Sequence, residues 1–214
     1  HAKPFGPELQ VKQMLGGRLR RKIYRNIGVK MTQDEFEVLI QEIPNKIQID
    51  HQLFINWMSK AIKIKNMLVS SFDKILMNYF YIVIVQIVVE GIPYTSRISK
   101  NVDDKEEGIQ FMRLLNKHIS NLFSKFNDKE IEFIYYRRDS AAHIFVTSYE
   151  NRIQNGKVVT NRKGENITDI NEYIYDVILK HGTELKFDKY FLRNIAESLD
   201  ELSKDIQELK SKFT

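Results

Sequence analysis

Residues 75–89, ILMNYFYIVIVQIVV, form a fifteen-residue apolar stretch interrupted by only two amides, Asn78 and Gln86. Any fold this chain adopts has to remove most of that stretch from water. The stretch is shorter than the roughly 20 apolar residues needed to cross a bilayer, so the expectation is a buried central element and no membrane span. Leu68, Phe72, Ile75, Leu76, Tyr79, Phe80, Val83 and Ile87 recur at helical spacing, whereas the Val and Ile enrichment after Tyr81 also suits a buried strand. The helical reading covers residues 68–89, ends at Gly91-Ile92-Pro93 and leaves residues 95–103 as a connection.

The same period organises the remainder. Thr32 followed by Glu35 is a capping-box pattern, with Phe36, Leu39, Ile40 and Ile43 forming the apolar side of a helix that Pro44 stops. A second helix is predicted from near Asp50 towards Met67, through Leu53, Phe54, Trp57, Met58 and Ala61. A further helix spans about 104–126, with Ile109, Met112, Leu115, Ile119, Leu122 and Phe126 inward. Asn127 or Asp128 then caps another, whose Glu130 and Glu132 suit the positive helix end. Asn155-Gly156 between Arg152-Ile153 and Val158-Val159 is a hairpin signal, read as a substrate lid or as an exposed insertion. Helical spacing resumes after Asp169 and stops at His181-Gly182. In residues 191–213, Leu192, Ile195, Leu199, Leu202, Ile206, Leu209 and Phe213 alternate steps of three and four, as in a dimer seam or the last helix of a bundle. The predicted fold class is an all-α bundle of about five to seven helices with a short β-hairpin near 152–160. Residues 31–214 make its single domain, which suits a chain of this length.

Composition narrows the chemistry. With no cysteine, disulfides, thiolate metal sites and a cysteine nucleophile are excluded. The five histidines are far apart in sequence, with no helical pair at i, i+4, so no metal and no cofactor is expected. The net charge of +5 is unevenly placed: residues 1–30 carry eight Lys or Arg and one Glu, whereas the rest carries 25 basic and 27 acidic side chains. Arg18, Arg20, Arg21, Lys22 and Arg25 therefore make the leader either a nucleic-acid-binding arm or a neutral appendage, and Met31 is either an internal helix start or an initiation point. No secretory signal pattern is present, and a cytoplasmic location is expected.

The chemically richest segment is Arg138-Asp139-Ser140-Ala141-Ala142-His143. Cutting a phosphodiester without a metal calls for a proton carrier titrating near neutrality and a fixed cation beside the developing charge, tasks suited to His and Arg. Asp139 and His143 stand at i, i+4 and share a helix face, so Asp139 can fix the imidazole tautomer. Arg138 lies roughly 140° around an ideal helix from His143, so the two converge only on a distorted helix or through a second protomer. Arg137 is a further candidate nucleic-acid contact. Arg113 and His118 repeat the Arg-x4-His spacing, but Leu114 and Leu115 continue an apolar stripe there, so that pair reads as structural.

The hexapeptide, with the helical order from about Asn66 onward, resembles the R-x4-6-H signature of the HEPN superfamily, particularly its abortive-infection and toxin branches. That resemblance implies an α-helical homodimer with a metal-independent endoribonuclease site at its interface. Arg138 would bind the scissile phosphate, His143 would act as acid or base, and Asp139 would be the polar motif residue. The products would be a 2′,3′-cyclic phosphate and a 5′-hydroxyl. RNA, a second protomer and an antitoxin or regulatory protein are the partners so implied, in toxin or phage-defence roles. The alternative is a non-catalytic helical module that binds protein or nucleic acid, with Arg138, Asp139 and His143 as a structural cluster.

Overall fold

The computed structural model describes residues 32–41, 50–99, 107–142, 159–160, 166–167 and 170–213. Helix α1 (Gln33–Gln41) starts as expected: Glu35 N–H donates to Thr32 Oγ1 while Thr32 N–H donates to Glu35 Oε2, satisfying two otherwise unpaired amides. Helix α2 (Asp50–Ser70) and helix α3 (Lys74–Ser99) follow. The single helix expected over 68–89 is in fact broken at Ser71-Phe72-Asp73. Asp73 accepts the Leu76 amide at 2.7 Å and so caps a new helix.

Helix α3 also outruns its predicted end. Gly91 and Pro93 lie inside it: with no side chain, Gly91 leaves room for the Phe54 ring, because a Cβ there would come within 2.7 Å of it. Thr95 Oγ1 donates to the Gly91 carbonyl at 2.7 Å, and Pro93 is exposed, so the proline ends nothing. The strand alternative is excluded, since the Val- and Ile-rich segment is helical throughout. Lys74–Arg97 is consequently long and apolar enough to cross a membrane, longer than the fifteen-residue run indicated, and half of that stretch is buried in the bundle.

Helix α4 (Glu107–Asn121) gives way to tight turns before Phe126, yet Leu122, Phe123 and Phe126 remain buried. Helix α5 (Asp128–Ala142) carries the first residues of the motif. Strands β1 (Val159–Thr160) and β2 (Asn166–Ile167) pair antiparallel, Val159 with Ile167, around residues 161–165. The expected Asn155-Gly156 turn lies outside the described residues; the described pairing falls later than predicted. Helix α6 (Ile170–His181) stops at Gly182, whose φ of 82° suits glycine, and Thr183 caps helix α7 (Glu184–Phe213).

These elements form an all-α bundle with seven helices among the described residues. Helix α3 is central and packs on α2, α4 and α5; α7 packs on α4, α2 and α6. The apolar stripe of α7 docks on this core rather than forming a free seam: Leu192, Ile195, Leu199, Leu202, Ile206 and Leu209 are all buried, with only Phe213 exposed. Phe191 stacks on Tyr81 with centroids 4.5 Å apart and meets Phe126 at 5.6 Å, joining α7 to α3 and the end of α4.

Candidate functional site

Helix α5 begins with a reciprocal cap, in which Glu130 N–H donates to Asn127 Oδ1 and Asn127 N–H donates to Glu130 Oε2, both at 3.0 Å. Its rotation is settled by the residues that enter the core: Phe133 and Ile134 are buried, and Phe133 packs edge-on against Phe187 of α7 at 4.7 Å. One turn later, Arg137 falls on that inner side. Arg138, one turn after the buried Ile134, lies at the edge of that side and is half-buried.

Arg137 is the centre of a polar cluster linking three helices. Its guanidinium donates to both Asp188 carboxylate oxygens at 3.4 and 3.3 Å, to Glu184 Oε2 at 3.1 Å and to Asn78 Oδ1 at 3.3 Å. It also lies over the Tyr81 ring, 5.4 Å from the centroid, and Tyr81 Oη donates to Asp188 at 2.8 Å. Burial raises the pKa of Asp188, an effect that the facing guanidinium opposes. Burial likewise pushes the Tyr81 phenol well up, with the neighbouring carboxylate adding to the shift. Arg137 therefore corrects one expectation: a guanidinium so engaged holds α3, α5 and α7 together and is not presented to nucleic acid.

Arg138 and Asp139 sit nearer the surface, with side chains 27% and 14% exposed, and Arg138 Nη1 donates to Asp139 Oδ1 at 2.7 Å. Asp139, expected to orient His143, thus accepts a bond from its neighbour. Among the described residues, Arg138 Nε and Ser140 Oγ are shielded from solvent without a hydrogen-bond partner, as are Arg137 Nε and Ser59 Oγ. Such atoms are uncommon in a packed protein and mark unused donor capacity. The helix is described as far as Ala142; His143 lies outside the described residues, as do Arg18, Arg20, Arg21, Lys22 and Arg25.

Two other histidines are tied to carboxylates. His118 is buried with Nε2 2.8 Å from Asp205 of α7, which agrees with reading the Arg113–His118 spacing as structural. His181 Nε2 lies 2.9 Å from the buried Glu130 carboxylate, which also accepts from Lys180 at 2.7 Å. Burial raises the Glu130 pKa, but the Lys180 and His181 hydrogen bonds outweigh it and the net shift is downward. Among the described residues, no three His, Asp or Glu side chains converge as a metal set.

The sequence reading missed Asp188, yet a signal was available. Asp188 stands four residues before Leu192 and continues the apolar rhythm of α7 backwards, so a carboxylate occupies a core-facing position. Asn78, likewise, interrupts the apolar run just where Arg137 meets it.

No family model matches this chain, and neither does any curated protein or solved structure.

Proposed function

We propose that this chain is a metal-independent endoribonuclease of HEPN type, working at the C-terminal end of α5 in the cytoplasm. The observation that carries the reading is the unspent donor capacity of Arg138 Nε, which has no hydrogen-bond partner among the described residues and lies five residues before His143. A phosphate that displaces Asp139 would accept from Arg138 Nε and Nη1 together, the paired geometry a guanidinium offers. Arg138 then holds the phosphate and stabilises the phosphorane charge, His143 moves the proton between the ribose 2′-hydroxyl and the leaving oxygen, and Asp139 restrains Arg138 until RNA binds.

The test is cleavage of RNA in EDTA, followed through the 2′,3′-cyclic phosphate end. His143→Ala and Arg138→Ala are each expected to lower the rate by about 10²–10⁴-fold with the far-ultraviolet spectrum unchanged. A rate that survives His143→Ala, or products with a 3′-hydroxyl, would refute the assignment.

A second reading is a non-catalytic binding module, favoured by the 2.7 Å Arg138–Asp139 pair, in which the guanidinium already has its counter-ion. Salt-dependent RNA binding without any cleavage, equal in wild type and His143→Ala, is its signature.

A further inference from the structure

Helix α3 has an outer face of the wrong character for a protein surface. Ile75, Tyr79, Ile82, Gln86, Val89 and Pro93 repeat at steps of four and three and fall within about 80° of one another around the helix. All six are exposed or half-buried. An outward helix face is ordinarily polar, and here it is apolar along most of its length, with Ile75 81% and Val89 44% exposed. Towards its C-terminal half this face joins α2 to form an open groove of about 610 Å³, walled by Leu53, Phe54, Trp57, Val89, Pro93 and Tyr94.

The groove carries two opposite charges, Glu90 and Arg97. They are seven residues apart and so lie about 20° from one another around the helix and roughly 10 Å apart along it. Among the described residues Arg97 makes no ion pair, and Glu90 accepts only from Gln86 on its own helix. A pattern of acid, apolar patch and base along one line is its own complement when turned through 180°. A two-fold axis between Pro93 and Tyr94 would set Glu90 of each copy against Arg97 of the other, twice, around a centre of Val89, Pro93, Leu53 and Trp57.

We infer that this face is the contact between two copies of the chain, packed antiparallel through the C-terminal half of α3. Burial of Leu53, Trp57 and Val89 supplies the affinity, and the paired charges select the register. The inference goes beyond the nuclease reading and is independent of it. Asn78, which touches Arg137, is fifteen residues from Pro93, about 22 Å along the axis, so this pairing does not bring the two Arg138 segments together, and a nuclease site shared between protomers would need a different face.

The charges give a direct test by sedimentation equilibrium on the full chain. Wild type is expected to be a dimer at micromolar concentration. Glu90→Arg and Arg97→Glu are each expected to raise the dissociation constant at least about tenfold, because like charges then meet twice. An equimolar mixture of the two variants restores both pairs and is expected to dimerise like wild type, as is the doubly swapped protein. Leu53→Glu, at a position 68% exposed, is expected to give a folded monomer and serves as the control on packing. A monomeric wild type overturns the inference, as does a dimer indifferent to all three substitutions or a mixture that fails to recover. A monomer that floats with phosphatidylcholine vesicles would assign the face to lipid instead.

Discussion

Tyr81 Oη donates a 2.8 Å hydrogen bond to Asp188 Oδ1 although the two residues are 107 positions apart, and the Arg137 guanidinium closes the same cluster from a third helix. Three polar side chains thus occupy a junction that the surrounding residues make apolar. Each is tolerable there only because of the others.

Arg137→Ala is accordingly expected to cost about 3–5 kcal/mol, since it leaves the Asp188 carboxylate buried without its cation. Tyr81→Phe removes one hydrogen bond and leaves an acceptor that Arg137 still serves, so about 1 kcal/mol is expected. Urea unfolding of both variants checks the ratio; equal losses would show that Arg137 is not the keystone of the cluster.

Glu130 gives stability an acid limb. Its pKa is lowered on folding, because the Lys180 and His181 hydrogen bonds overcome burial. Its contribution is therefore present above the unfolded value of about 4.3 and is lost as pH falls through the lower folded value. Asp188 has the opposite sign: burial raises its pKa, so its contribution is present at low pH and is lost as pH rises through the raised value. Glu130→Gln is expected to lower stability at pH 7 and to flatten its fall below about pH 4.5, as read by thermal melts across the acid range.

Gly182→Ala is expected to destabilise the chain by about 1 kcal/mol. The φ of 82° costs an L side chain roughly that much, while the nearest atom to an added Cβ, Lys186 Nζ at 3.3 Å, ends a flexible side chain that can move aside. Strain in the backbone and not collision is the cause, so Gly182→Asn, which tolerates this conformation better, should lose less in the same melt.

Asp139→Asn separates the two roles open to the motif. If Asp139 restrains Arg138 for catalysis, RNA cleavage is expected to fall about tenfold or more while stability changes by less than about 1 kcal/mol, as for a partly exposed pair. A melting temperature that falls with no loss of cleavage would place Asp139 in the scaffold.

Much of the architecture was readable from local pattern. The Thr32–Glu35 box, the Asn127 cap, the stop at Gly182 and the apolar rhythm of α7 all follow from amides and side chains within four residues of each other, where helix geometry allows one arrangement. The errors arose where a contact the pattern does not display, tertiary at Gly91 and local at Asp73, overrode the simpler rule. Gly91-Ile92-Pro93 reads as a helix end, but the Phe54 ring packed over Gly91 and the bond from Thr95 carry the helix on to Ser99. In the other direction, residues 68–89 read as one helix, yet the cap at Asp73 divides them. The hairpin signal at Asn155-Gly156 and the motif histidine itself fall outside the described residues.

The amino-acid sequence by itself determined that this protein is helical, where most of its helices begin, and which segment holds an arginine, a carboxylate and an imidazole in close succession, because these are matters of spacing along one chain. Only the tertiary structure decided that Arg137 turns inward to Asp188 and Tyr81 while Arg138 stays near the surface beside Asp139. Adjacent residues differ by 100° around a helix, and which of two neighbouring guanidinium groups meets the core is set by partners on other helices, some fifty to sixty residues away.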